Sequence, residues 1–132
     1  MDLLSANLLL VDDYAPLRRT LRGLLLQIGF RNIDETGTVD CALEKMRERN
    51  YGLILSDFDM GEKSGLDLLG EMRADDDLKD TRFLMVSGLA TAETVAAAKE
   101  AGVDGFIVKP FNMQTLKRQL QAVLNDSSAK LI

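Results

Sequence analysis

The stretch LILSDFDMG, Leu53 to Gly61, carries an apolar run straight into two carboxylates, Asp57 and Asp59, with only Phe58 between them. Negative charge at the end of a buried run is costly to desolvate, so it implies a use. A carboxylate placed there can act as a nucleophile toward phosphorus and form an acyl phosphate. Two unrelated protein classes use an apolar strand followed by Asp-x-Asp in this way. Three more apolar runs end in reactive groups: Asn7 to Val11 stops at Asp12 and Asp13, Phe83 to Val86 at Ser87, and Phe106 to Val108 at Lys109. Histidine is absent, which removes the commonest general base and the commonest zinc ligand. Chemistry is left to carboxylates, hydroxyls, lysine or a hard cation.

The elements that must position these groups are marked by periodicity. After the first strand, Leu17, Leu21, Leu24, Leu25 and Ile28 recur at helical spacing. Pro16 suits the first turn of that helix and Gly29 its C-terminal cap. Ile33 marks a weak second strand, and Val39, Ala42, Leu43 and Met46 follow at i, i+3, i+4, i+7. Leu53 to Ser56 is a third strand; Ser64 and Asp67 then resemble a capping box ahead of Leu66, Leu69 and Met72. Phe83 to Val86 is a fourth strand, after which Thr91 can cap a helix through Val95 and Ala98 to Gly102. Phe106 to Val108 is the fifth strand, and Asn112 can cap a last helix whose stripe is Met113, Leu116, Leu120 and Val123. Five strands alternating with five amphipathic helices predict a doubly wound α/β domain, a parallel sheet covered on both faces. Ligands in such sheets sit beyond the carboxyl ends of the strands. One domain is expected over residues 1–132, with a core of about 6–125 and a polar tail at 126–132.

Composition sets the outer bounds. A chain of 132 residues buries roughly two-thirds of its unfolded surface in one core. Hydrophobic content of 46% with 28% charged residues excludes a disordered chain. A formal charge of -5 disfavours direct binding to nucleic acid or anionic lipid. The lone Cys41 cannot form an internal disulfide, and no leader-like segment opens the chain, so a cytoplasmic location is expected. The early apolar run Leu8 to Val11 is far short of the roughly 20 residues a membrane helix needs.

If the first and third strands are neighbours, about 4.8 Å apart, Asp12, Asp13 and Asp57 crowd into one pocket. Three carboxylates that close persist at neutral pH only if some are protonated or a cation neutralises them. With oxygen ligands alone, magnesium fits best, sharing its shell with waters and a phosphate. Lys109 adds positive charge beside Asp57, and the Ser87 hydroxyl can donate to an anionic oxygen. This is equipment for phosphoryl transfer, with Asp57 as acceptor. Each group also has an ordinary reading: Asp12 or Asp13 as a helix cap, Ser87-Gly88 as a turn, Lys109 as a surface lysine. Coincidence at four strand ends is what favours the site.

Taken together, LLLVDD, LILSDFDM, Gly65-Leu66-Asp67-Leu68-Leu69, LMVSG and FIVKPF resemble the receiver domains of response regulators over nearly the whole chain, the single-domain chemotaxis regulators above all. The resemblance implies a flavodoxin-like sheet of five parallel strands in the order 2-1-3-4-5 with five helices. It implies a two-component phosphorelay in which a histidine kinase or histidine phosphotransfer protein phosphorylates Asp57. Asp13 and Asp57 would ligate Mg2+ directly, Asp12 largely through water, and the Asp59 backbone carbonyl would complete the protein's share. Ser87 and Lys109 would bind the phosphoryl oxygens, the Lys109-Pro110 bond would be cis, and Phe106 would occupy the aromatic switch position. Ser87 is expected to move toward the phosphoryl group and Phe106 to turn inward. The face made by the fourth helix, fifth strand and fifth helix then changes its affinity for a downstream protein. No fused output domain is visible, so signalling by direct contact is expected. Gly61 departs from the family's usual proline, which is expected to loosen the loop after Asp57. Phe106 lacks a tyrosine's hydroxyl, and Asp59 and Leu89 fall at positions that tune acyl-phosphate hydrolysis.

Two other functions compete. Asp57-Phe58-Asp59 also resembles the nucleophile motif of haloacid dehalogenase-type phosphatases, whose second Asp serves as acid and base. Those enzymes need acidic metal ligands downstream, whereas beyond Lys109 only Asp126 remains. The third possibility is an unphosphorylated pseudo-receiver that only binds. Arg18, Arg19 and Arg22 either dock a phosphodonor or form a solvated face. Asp75, Asp76, Asp77 and Asp80 read as a solubilising loop without calcium-loop spacing, and Cys41 as a passive helix residue.

Overall fold

The computed structural model describes residues 5–88 and 91–124. Leu89 and the expected polar tail, with Asp126, lie outside the described residues. The elements alternate: β1 Asn7–Val11, α1 Ala15–Ile28, β2 Asn32–Thr36, α2 Val39–Glu48, β3 Leu53–Asp57, α3 Gly65–Arg73, β4 Arg82–Ser87, α4 Ala92–Glu100, β5 Gly105–Val108 and α5 Met113–Leu124. The strands form one parallel sheet in the order β2-β1-β3-β4-β5, the doubly wound arrangement expected. Strand order reverses at β1, so the crevice for a ligand opens beyond the ends of β1 and β3.

Alternation along the strands feeds two apolar layers. Leu8 and Leu10, Leu53 and Leu55, Leu84 and Val86, and Ile107 pack with Leu21 and Leu25 of α1 and with Leu116, Leu120 and Val123 of α5. Leu9 and Val11, Ile54, and Phe83 and Met85 pack with α2 and α3 through Ala42, Met46, Leu68, Leu69 and Met72. Both faces of the central strands are therefore dry, as parallel sheets require.

The helix ends follow their sequence signals. Ser64 and Asp67 form the capping box, with the Ser64 amide donating to Asp67 Oδ2 at 2.8 Å and the Asp67 amide to Ser64 Oγ at 3.2 Å. Thr91 accepts the Thr94 amide at 3.1 Å and Asn112 the Thr115 amide at 2.9 Å. Gly29 ends α1 at φ 124°. Tyr14 precedes α1 without a side-chain cap bond, so neither Asp12 nor Asp13 is spent as the cap. Helix α4 stops at Glu100, short of Gly102, whose φ is 95°. β3 runs one residue further than its hydropathy shows, because Asp57 still pairs with Val86. No helix of the described residues is long and apolar enough to cross a membrane.

Candidate functional site

Register places the reactive groups along one sheet edge. Val11 pairs with Ser56, so Asp12 and Asp57 follow on neighbouring strands; Asp57 pairs with Val86 and Ser87 with Val108, so Ser87 and Lys109 follow on the next two. Asp12, Asp13 and Asp57 each offer a carboxylate oxygen within 4.8 Å of the others. Lys109 Nζ donates to Asp57 Oδ1 at 3.0 Å, and its amide donates to the Ser87 carbonyl at 2.8 Å. The Lys109-Pro110 bond is cis. Asp57 is 8% exposed and Ser87 fully buried, while Asp13 lies exposed at the rim.

Asp12 is the most confined of the three carboxylates, at 2% exposed. Its Oδ1 accepts the Tyr14 amide at 2.9 Å, but its buried Oδ2 has no hydrogen-bond partner among the described residues. Burial pushes its carboxyl above the ordinary aspartate value; the Tyr14 amide opposes this, the Asp57 charge adds to it, Lys109 opposes and Asp13 adds. A buried, unpartnered oxygen on a carboxylate grouped with two more carboxylates fits a hard divalent cation, which would supply the missing partner and the missing charge.

The loop after Asp57 is tied at both ends. The Phe58 amide donates to Val86 at 2.9 Å and the Gly65 amide to the Phe58 carbonyl at 2.8 Å. Gly61 adopts φ 73°, which proline cannot. A Cβ on Gly65 would overlap the Asp57 carbonyl and lie 2.8 Å from Met85 Sδ. Close packing behind Asp57 thus requires glycine, a role the sequence marks only as the start of α3. Asp59 is exposed and outside the three-carboxylate group, which weighs against the phosphatase reading, where it would act beside the nucleophile. Phe106 is half-buried against the layer of α2 and α3.

The arginines of α1 divide. Arg19 is exposed. Arg18 and Arg22 instead bond Glu35 of β2, Arg18 Nε to Oε1 at 2.8 Å and Arg22 Nη1 to Oε2 at 3.0 Å. Glu35 escaped the reading of the sequence, since only the β1–β2 register brings it to α1. Cys41 is exposed on α2.

Comparison with known proteins agrees with this fold. Residues 8–121 match the family described as the response regulator receiver domain. The chain is 37% identical over 119 residues to chemotaxis protein CheY-3 of Vibrio cholerae, covering 90% of this chain and 92% of that one. It is 36% identical over 117 residues to chemotaxis protein CheY of Pseudomonas aeruginosa, covering 89% and 94%. Among solved structures, CheY4 of Vibrio cholerae superposes with TM-score 0.84 at 30% identity, over 91% of this chain and 99% of that one. The receiver domain of a Pseudomonas aeruginosa sensor histidine kinase, which has a magnesium ion in its active-site cleft, shares the fold at TM-score 0.82 and 21% identity, over 92% and 99%. With the family match, the relatives and the sheet order in agreement, the chain belongs to the response regulator receiver domain family.

Proposed function

We propose that the protein is a phosphorylation switch in which Asp57 accepts a phosphoryl group from a histidine kinase or histidine phosphotransfer protein. One observation carries this reading: three carboxylates from two adjacent strand ends meet within 4.8 Å, with Lys109 Nζ 3.0 Å from Asp57 Oδ1. Asp12, Asp13 and Asp57, with the Asp59 carbonyl, would hold Mg2+, which when bound neutralises the carboxylates and the incoming phosphoryl oxygens.

An Asp57 oxygen attacks the phosphorus of the donor's N-phosphohistidine. A P–O bond forms as the P–N bond breaks, and the electron pair leaves on the imidazole nitrogen. Lys109 and the Ser87 hydroxyl then bind the phosphoryl oxygens. Moving a two-state equilibrium from 1:99 to 99:1 requires about 5.5 kcal/mol, and two charge-assisted hydrogen bonds at about 1.5 to 3 kcal/mol each supply most of it. Ser87 shifts, Phe106 turns further into the adjoining apolar layer, and the α4-β5-α5 face changes its affinity for a downstream protein. Water attack on the acyl phosphate resets the switch.

Incubation with phosphoramidate, a small N–P donor, tests this on a phosphate-affinity gel. We expect one retarded band that requires Mg2+ and disappears with chelator. Steady turnover of a generic phosphate ester, lost in Asp59→Asn, would instead support the phosphatase. Absence of any band with Mg2+ present would leave a pseudo-receiver.

A further inference from the structure

Asp12 is held at three points. Its amide donates to the Thr36 carbonyl at 3.1 Å, its Oδ1 accepts the Tyr14 amide at 2.9 Å, and its carbonyl accepts Arg18 Nη1 at 2.6 Å. Together they leave Oδ2 as the buried atom without a partner. The first two restraints use backbone groups, the Thr36 carbonyl at the end of β2 and the Tyr14 amide just ahead of α1. The third is a side chain reaching back from α1, and it is itself anchored, since Arg18 Nε donates to Glu35 Oε1. Arg18 and Glu35 side chains are 20% and 23% exposed, against 47% and 74% for the surface pair Lys63–Asp40.

A guanidinium beside a cation site has two opposed effects. Its charge repels the metal, while its rigid fork of donors fixes a ligand-bearing loop. Glu35 weighs on the second side, because its carboxylate, at 2.8 Å from Arg18 and shared with Arg22 at 3.0 Å, offsets part of the charge and leaves the donor geometry intact. We propose that Arg18, anchored by Glu35, is a positioning residue that fixes the Asp12 backbone and so aims Oδ2 at the divalent cation of the phosphoacceptor site. This rests on the reading of the site as magnesium-dependent.

Calorimetric titration of the whole chain with Mg2+ alone, beside melting curves taken without metal, separates the two effects by sign. Arg18→Ala should bind Mg2+ about 10-fold more weakly, as loss of an outer partner of a metal ligand typically does. Arg18→Lys, a point charge that cannot hold Glu35 and Asp12 together, should recover only part of the loss. Glu35→Gln should also weaken binding, and combined with Arg18→Ala it should add less than about 2-fold, because Glu35 acts through Arg18. Unchanged or tighter binding by a folded Arg18→Ala overturns the proposal, even if its melting temperature falls. Should Arg18→Ala fail to fold, unchanged affinity in Glu35→Gln overturns it instead. An unaltered chain that takes up no Mg2+ overturns the underlying reading of the site as well, whereas normal uptake by the unaltered chain and the variants alike removes only the role of Arg18.

Discussion

Burial sets the behaviour of Asp12, whose carboxyl is held above its ordinary value chiefly by desolvation. A group whose folded value is raised contributes stability below its unfolded value, near 3.8, and loses it as pH rises through the folded value. At neutral pH without metal, this buried carboxyl therefore destabilises the fold. Asp12→Asn keeps the Oδ1 acceptor for the Tyr14 amide and removes the charge. Its metal-free melting temperature at pH 7 should rise by about 3–5 °C, roughly what 1 kcal/mol gives in a domain of this size. The gain should vanish near pH 3.5, and the stabilisation by Mg2+ seen in the unaltered chain should be lost. Melting curves with and without Mg2+ at the two pH values check all three outcomes.

The strand-to-helix connections do the positioning, and glycine governs the one after β3. Gly65→Ala gains at most about 1 kcal/mol of helix propensity. Its Cβ would meet the Asp57 carbonyl, a backbone atom that cannot swing aside, so a net loss of about 1–3 kcal/mol is expected, with weaker Mg2+ binding because Asp57 moves. Gly61→Pro should lose more than about 1 kcal/mol, since φ 73° is closed to proline. Urea unfolding of the two variants measures both. The sequence states the connections it can state locally. Apolar runs that stop at Asp12, Asp57, Ser87 and Lys109 reveal the strand ends, and Ser64, Thr91 and Asn112 reveal the caps, because those signals depend on residues a few positions apart. Glu35 against Arg18, and Gly65 against Asp57, depend on register and on approach between separate elements. Arg73 is a third case: its guanidinium donates to the carbonyls of Thr81 at 2.7 Å and Gly102 at 2.9 Å, joining two connections far apart in the chain.

Across the whole molecule, anchoring is uneven. Helices α2 and α3 each bury four residues, whereas among the residues of α4 only Ala98 is buried. Little apolar contact holds α4, so it should open at a lower free energy than the central strands. It leads in the chain to β5, where Val108 is 45% exposed, on the face proposed to signal. Hydrogen exchange should find the amides of α4 exchanging ahead of those of β1, β3 and β4. Phosphorylation should alter protection along α4, β5 and α5 while leaving β2 and α2 unchanged. Uniform protection in both states would remove α4 from the switch.

The most direct measurement is intact and peptide-mapped mass spectrometry after incubation with acetyl phosphate, with and without Mg2+. The account predicts a single phosphoryl adduct on the peptide containing Asp57, formed only with Mg2+ and absent in Asp57→Ala. An adduct on another residue, or one that forms equally well without the cation, would contradict it.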